Sequence, residues 1–182
     1  RGVNVGGHKK VKMDALRAVY LELGFVNVCT YIQSGNVIFQ DGTAQTNELE
    51  RIVGLRIAQT FGFEVPVIVL ELSELRDIVR RNPFAFSRSD EATHLYVTFL
   101  SSIPLPEAIG AIQEAKFTPD ECHVTDRAAY LFCPGGYGKT KFTNTFVEGK
   151  LKVVATTRNW KTAGELLAIA EKVDGSSGSI PG

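Results

Sequence analysis

The chain has 182 residues, with 20 Lys plus Arg balanced by 20 Asp plus Glu, and 44% of its residues are hydrophobic. That length suits one domain or two small ones side by side, and zero net charge argues against a protein that coats nucleic acid by bulk charge. No apolar run approaches the roughly 18 residues that cross a bilayer, so a membrane protein is not expected.

Residues 1–5 read as the end of a strand stopped by Gly6-Gly7. A helix follows over 13–23, where Leu16, Val19, Tyr20 and Leu23 share one face and Gly24 is a natural stop. Residues 26–33 and 36–40 are rich in β-branched and aromatic residues, and Ser34-Gly35 between them predicts a hairpin. A helix over 46–61 buries Leu49, Ile52, Val53 and Ile57. The apolar stretch 65–71 reads as an edge strand, because Pro66 lacks a donor.

A short helix over 73–81, with Ser73 as its cap, and a polar stretch over 82–93 read as the connection between halves. The same order then repeats: strand 94–100, helix 104–115, hairpin 122–126 and 129–133, helix 139–147, and a short strand over 152–155. A last helix starts near Asn159 and turns Trp160, Ala163, Leu167 and Ala170 inward. The Gly/Ser-rich tail from 174 predicts disorder. The expected fold is therefore α+β: two ferredoxin-like β-α-β-β-α-β halves in tandem, with a linking helix and a C-terminal helix. The expected division is 1–72, a connection over 73–93, a second half over 94–172, and a tail over 173–182.

Topology points to a site. In a split βαβ unit the first two strands are parallel, so the loop after strand one and the turn after strand two lie at one sheet end. This brings residues 5–12 beside residues 33–36. The first segment carries Gly6, Gly7, Lys9, Lys10 and Lys12, and the second offers Gln33, Ser34, Gly35 and Asn36. Glycines admit close backbone approach and lysines supply charge, which suits an anion such as a phosphate. Ordinary turns with lysines on a solvated face account for the same residues. Charge is also unevenly spread. Arg1, Lys9, Lys10, Lys12 and Arg17 against Asp14 give residues 1–17 a net +4. Lys139, Lys141, Lys150, Lys152, Arg158 and Lys161 against Glu148 give residues 139–161 a net +5.

The stretch CPGGYGKT, residues 133–140, resembles a nucleotide-binding P-loop at Gly138, Lys139 and Thr140, but Cys133 stands where the first glycine belongs. The expectation kept from it is an anion site at a helix N-terminus, through Lys139 and Thr140. Cys29, Cys122 and Cys133 form no close-set pattern, which predicts reduced thiols and a cytoplasmic protein. His8, His94 and His123 have no ligand spacing, so no metal and no cofactor are expected. Tyr31 and Phe39 in the first hairpin fit core packing better than base stacking.

The stretches RGVNVGGHKKVKM, ELGFVNVCTYIQSGNVIF, KTKFTN and TTRNWKT, in that order, resemble the bacterial family known as domain of unknown function 1697. The resemblance runs from Arg1 to about Glu171. It implies paired ferredoxin-like halves and a first strand that begins before Arg1, and it implies no established activity. It marks Arg1, Asn4, Gly6, Gly7 and Lys12, then Tyr31, Gln33, Ser34, Gly35 and Asn36, then Thr156, Arg158, Asn159 and Trp160. The first two groups are those that topology brings together.

The leading expectation is a binding module for a phosphate-bearing small molecule or nucleic acid. The alternatives are an enzyme with Asn4, Gln33, Ser34, Asn36 and Arg158 in a polar cleft, and an oligomeric scaffold whose signature residues serve packing. The oligomeric state stays open at this point.

Overall fold

The computed structural model describes residues 2–4, 8–42 and 44–176. Two compact units form, Arg1–Leu72 with Leu166–Gly182, and Ser73–Glu165. Among the described residues the fold is mixed α and β, with two small antiparallel sheets and seven α-helices. None of these helices is long and apolar enough to cross a membrane.

In the first unit, α1 (Met13–Glu22) buries Leu16, Val19 and Tyr20. Gly24, at φ 89°, turns the chain away while its N–H donates to the Leu21 carbonyl, a left-handed helix ending that glycine takes without strain. Strands β1 (Val26–Tyr31) and β2 (Asn36–Gln40) pair antiparallel, with Tyr31 opposite Asn36 and Cys29 opposite Ile38. The connection is longer than the predicted Ser34-Gly35 turn. Ile32 takes φ 49° and Gly35 φ 74°, so the strand ends at Tyr31. Helix α2 (Thr46–Phe61) buries Leu49, Val53 and Ile57 and is capped by Gly62 at φ 77°. The rings of Tyr20, Phe25 and Phe39 meet in this core, with Phe25 and Phe39 stacked 4.5 Å apart.

The expected outer strands of this unit differ. Val3 and Asn4 lie in a turn, and residues 1 and 5–7 are outside the described residues. Residues 65–71 carry no strand. Pro66 has no N–H to give, and the Val69 N–H donates to Glu50 Oε1 (2.9 Å), so a side chain takes a bond that a strand ladder would need.

In the second unit, α3 (Leu72–Arg80) leads to α4 (Pro83–Ser87) and a 3₁₀ turn over Ser89–His94, where a plain linker is predicted. Pro83 starts α4, and Asn82 Oδ1 accepts from the Phe84 N–H at 2.9 Å, which is how such a short helix is nucleated. Then come β3 (Leu95–Leu100), α5 (Pro106–Gln113), β4 (Glu121–Val124), β5 (Ala128–Phe132), α6 (Asn144–Leu151) and β6 (Ala155–Asn159). The strands form one antiparallel sheet in the order β4-β5-β3-β6. Leu100, Val124, Ala129 and Ala155 face α5 and α6, where Ile112, Val147 and Leu151 cover them. On the other face Tyr130 donates its hydroxyl to the Ile78 carbonyl of α3 (2.8 Å), and the Phe132 ring meets Phe84 of α4.

Three boundaries move. Helix α6 starts at Asn144 and not at 139, because Thr143 caps it by accepting from the Phe146 N–H (3.2 Å). Strand β6 starts at Ala155 and not at 152, because Lys152 occupies the left-handed C-cap at φ 60°. Helix α7 (Trp160–Ser176) continues past 174 into the tail predicted to be disordered, whose remaining residues, 177–182, are outside the described ones.

Candidate functional site

In the first unit the two predicted loops meet. Asn4, at φ 56°, joins them. Its Oδ1 accepts from the Val11 N–H (2.8 Å), and its Nδ2 donates to the carbonyls of Val11 (2.8 Å) and Gln33 (2.9 Å). Its own N–H donates to the Lys9 carbonyl (3.1 Å). A Cβ on Gly35 would lie 3.5 Å from Val3 Cβ, so the two segments run close together and a side chain at Gly35 would touch Val3. Asn36 is buried and donates to the Tyr31 carbonyl (3.2 Å) and to Ser34 Oγ (2.9 Å). Both amides therefore hold the backbone of the junction.

The groups pointing outward at this junction are cationic and polar. Lys10, Lys12 and Gln33 are exposed, whereas Tyr31, Ser34 and Gly35 are half-buried. Lys9 reaches away, donating to the Glu64 carbonyl (2.6 Å) and lying over the Phe63 ring. Arg1, Gly6 and Gly7 of the predicted set lie outside the described residues.

The remaining predicted residues belong to the second unit. Lys139 is exposed at the end of a 3₁₀ turn over Tyr137–Lys139, and Gly136 enters that turn at φ 83°. Thr140 is buried, and its Oγ1 accepts from the Phe142 N–H (3.1 Å). Since α6 begins four residues after Thr140, Lys139 and Thr140 do not stand at a helix N-terminus, and the anion site expected there is not formed. Arg158 Nη1 donates to Thr156 Oγ1 (2.8 Å) and to the Thr157 carbonyl (2.9 Å), and burial pulls its guanidinium below its ordinary pKa. Asn159 Oδ1 accepts from the Thr162 N–H (2.7 Å), a helix-capping bond for α7. Trp160, half-buried, opens that helix.

Between these residues lies a hydroxyl network that the sequence reading missed. Tyr137 donates its hydroxyl to Thr157 Oγ1 (3.1 Å), and Thr157 donates to Asn144 Oδ1 (2.8 Å). Thr98 Oγ1 lies 2.8 Å from the same Thr157 oxygen. A hydroxyl has one proton, so Thr98 must be the donor in that pair. The signal in the sequence is a threonine inside the apolar run Leu95–Leu100.

Among the described residues no three His, Cys, Asp or Glu side chains gather as metal ligands. Burial pushes the Cys122 thiol up to about 12. It pushes Cys133 up to about 11, against a hydrogen bond with Thr140 that lowers it. Thiolates, not thiols, react, so a disulfide reagent at neutral pH is expected to modify Cys122 and Cys133 only upon unfolding. The same burial sets an alkaline limit. A raised folded pKa leaves stability intact below the unfolded thiol pKa of 9.0 and removes it as pH rises towards the folded value. Cys122→Ala should flatten the loss measured by urea titrations above that point, by up to about 2 kcal/mol around pH 10.5. An unchanged slope would refute the assignment. An open cleft in the first unit, lined by Arg17, Leu21, Asn27, Val28, Cys29 and Val173, contains none of the predicted site residues.

Residues 1–130 match the family model described as "Protein of unknown function (DUF1697)". The solved structure of the conserved bacterial protein SP0830 from Streptococcus pneumoniae is 22% identical, with a TM-score of 0.75 over 93% of this chain and 94% of that one. At that identity the likeness shows a shared fold. No curated protein matches the chain. The Asn4 and Gln33–Asn36 stretches lie within the matched residues, and the Thr156–Trp160 stretch lies beyond them. The chain belongs to the family of proteins of unknown function DUF1697.

Proposed function

We propose that the chain is a binding module for a phosphate-bearing ligand, a nucleotide or nucleic acid, held at the junction of residues 2–4 and 8–12 with the turn over 32–36. The observation that carries this reading is Asn4. It ties the two segments together through three side-chain hydrogen bonds, while Lys10 and Lys12 beside it stay exposed and have no ion pair among the described residues. A junction held by the Asn4 side chain loses little freedom on binding, and the exposed lysines beside it supply charge that favours an anion. Gln33, also exposed, adds a neutral donor and acceptor.

The test is a thermal-shift panel of nucleotides, sugar phosphates, coenzymes and short oligonucleotides. A ligand at about 100 times its dissociation constant stabilises the protein by about 2.7 kcal/mol, which is visible as a higher melting temperature. Lys12→Ala removes a surface charge without touching the core, so it should leave melting of the free protein unchanged and weaken the hit about fivefold. A panel without a single hit, or a hit whose affinity Lys12→Ala does not change, overturns the reading.

A further inference from the structure

A second surface lies on the helix-covered side of the second unit. Phe142 is buried there, and the rings of Phe117 and Phe146 pack on it at 4.9 and 5.9 Å and on each other at 5.1 Å. Phe117 and Phe146 are only half-buried, so this aromatic group reaches the surface. Lys141 Nζ lies 5.5 Å from the Phe117 centroid, and Lys150 Nζ lies 5.9 Å from the Phe146 centroid. Lys116 precedes Phe117 in the chain, Lys139 precedes Lys141 by two residues, and Lys152 follows Lys150 by two; all are exposed.

Glu114 and Asp120, the latter bridged to Phe117, are the carboxylates of the same segment as Lys116 and Phe117, and neither pairs with a lysine among the described residues. Arg81, Arg88 and Arg127 of the same unit pair with Asp126, with Glu91 and Glu121, and with Glu74. None of the five lysines has an ion pair among the described residues. The one carboxylate on α6, Glu148, accepts from the Ala155 N–H (2.9 Å).

We infer that this surface binds single-stranded nucleic acid, with Lys141 and Lys150 on backbone phosphates and the Phe117–Phe146 pair under the bases. Sequence-tolerant single-strand binding needs a cationic track and aromatic faces side by side, because every base offers a π-face. An acidic peptide would use the lysines but leave the rings unused. A duplex hides its base faces and would do the same. The inference stands apart from the loop junction of the first unit, since no residue is shared.

The experiment is a fluorescence-anisotropy titration of labelled oligo-dT with the full chain, between about 50 and about 200 mM salt. Binding is expected to weaken as salt rises. K141Q/K150Q should lower the slope of log affinity against log salt by about 1.4, the counterions of two phosphates. F117L/F146L should weaken binding about tenfold with the slope unchanged. The lysine pair lies on the surface and carries the test if the ring pair does not fold. Absence of binding at the lower salt, or an unchanged slope in K141Q/K150Q, overturns the inference. So does a duplex or an acidic peptide bound as tightly as oligo-dT. Lys12→Ala separates the two sites: loss of oligo-dT binding there, with none in K141Q/K150Q, assigns the ligand to the first unit and overturns this surface.

Discussion

Asn4→Ala is expected to lower the stability of the protein by about 4 kcal/mol, with the loss measured as a shift of the urea midpoint. Two causes add. Three side-chain hydrogen bonds disappear, those with the Val11 N–H, the Val11 carbonyl and the Gln33 carbonyl, each contributing about 1 kcal/mol net. Asn4 also sits at φ 56°, in the left-handed region. Asparagine tolerates that region through its short polar side chain, whereas alanine loses about 1 kcal/mol there. Asn4→Gly separates the causes, because glycine removes the amide but not the backbone freedom. It should therefore fall between the native protein and Asn4→Ala. If Asn4 instead served a ligand, Asn4→Gly would leave the midpoint alone and abolish binding. Equal midpoints for native protein and Asn4→Gly would thus refute the clamp.

That prediction marks where the sequence could be read and where it could not. Helices α1 and α2 were legible because Leu16, Val19 and Tyr20, and Leu49, Val53 and Ile57, recur at helical spacing and glycines close both ends. The approach of residues 5–12 to residues 33–36 was expected from a crossover between parallel strands, but Val3 and Asn4 lie in a turn, and it is Asn4 that reaches the Gln33 carbonyl. The role of Asn4 was not legible. Its partners stand 7 and 29 residues away, and no periodicity reports such a reach. Lysine at a helix C-cap gives no sequence signal either, and Lys152 at φ 60° moved β6 by three residues. Residues 65–71 form an apolar run like a strand, yet Pro66 and the bond from the Val69 N–H to Glu50 deny them a ladder. The aromatic cluster under Lys141 and Lys150 joins two segments that only the fold brings together. The sequence showed the lysines as a charge excess and gave Phe117 no partner.

The Thr157 network supplies the other large effect. Thr157→Val keeps the shape of the side chain and removes its oxygen. The Thr98 hydroxyl, fully buried, then has no acceptor among its observed partners, the Tyr137 hydroxyl loses its acceptor, and Asn144 Oδ1 loses its donor. Leaving a buried hydroxyl unmade costs about 1–3 kcal/mol, and loss of the tie between β6 and the first turn of α6 adds to it. A fall of about 3 kcal/mol in unfolding free energy is expected. Thr157→Ser should recover most of it, because the oxygen returns. The sharper test is the double variant Thr98→Val with Thr157→Val. Replacing both partners with apolar groups of the same shape removes the orphaned hydroxyl, and the two threonines are direct cross-strand neighbours. The double variant should therefore cost less than the two single variants added together, by at least about 1 kcal/mol. Strict additivity would mean that the two hydroxyls act independently. The Thr156–Trp160 stretch would then need a reason other than fastening the edge strand β6 to its sheet and to α6.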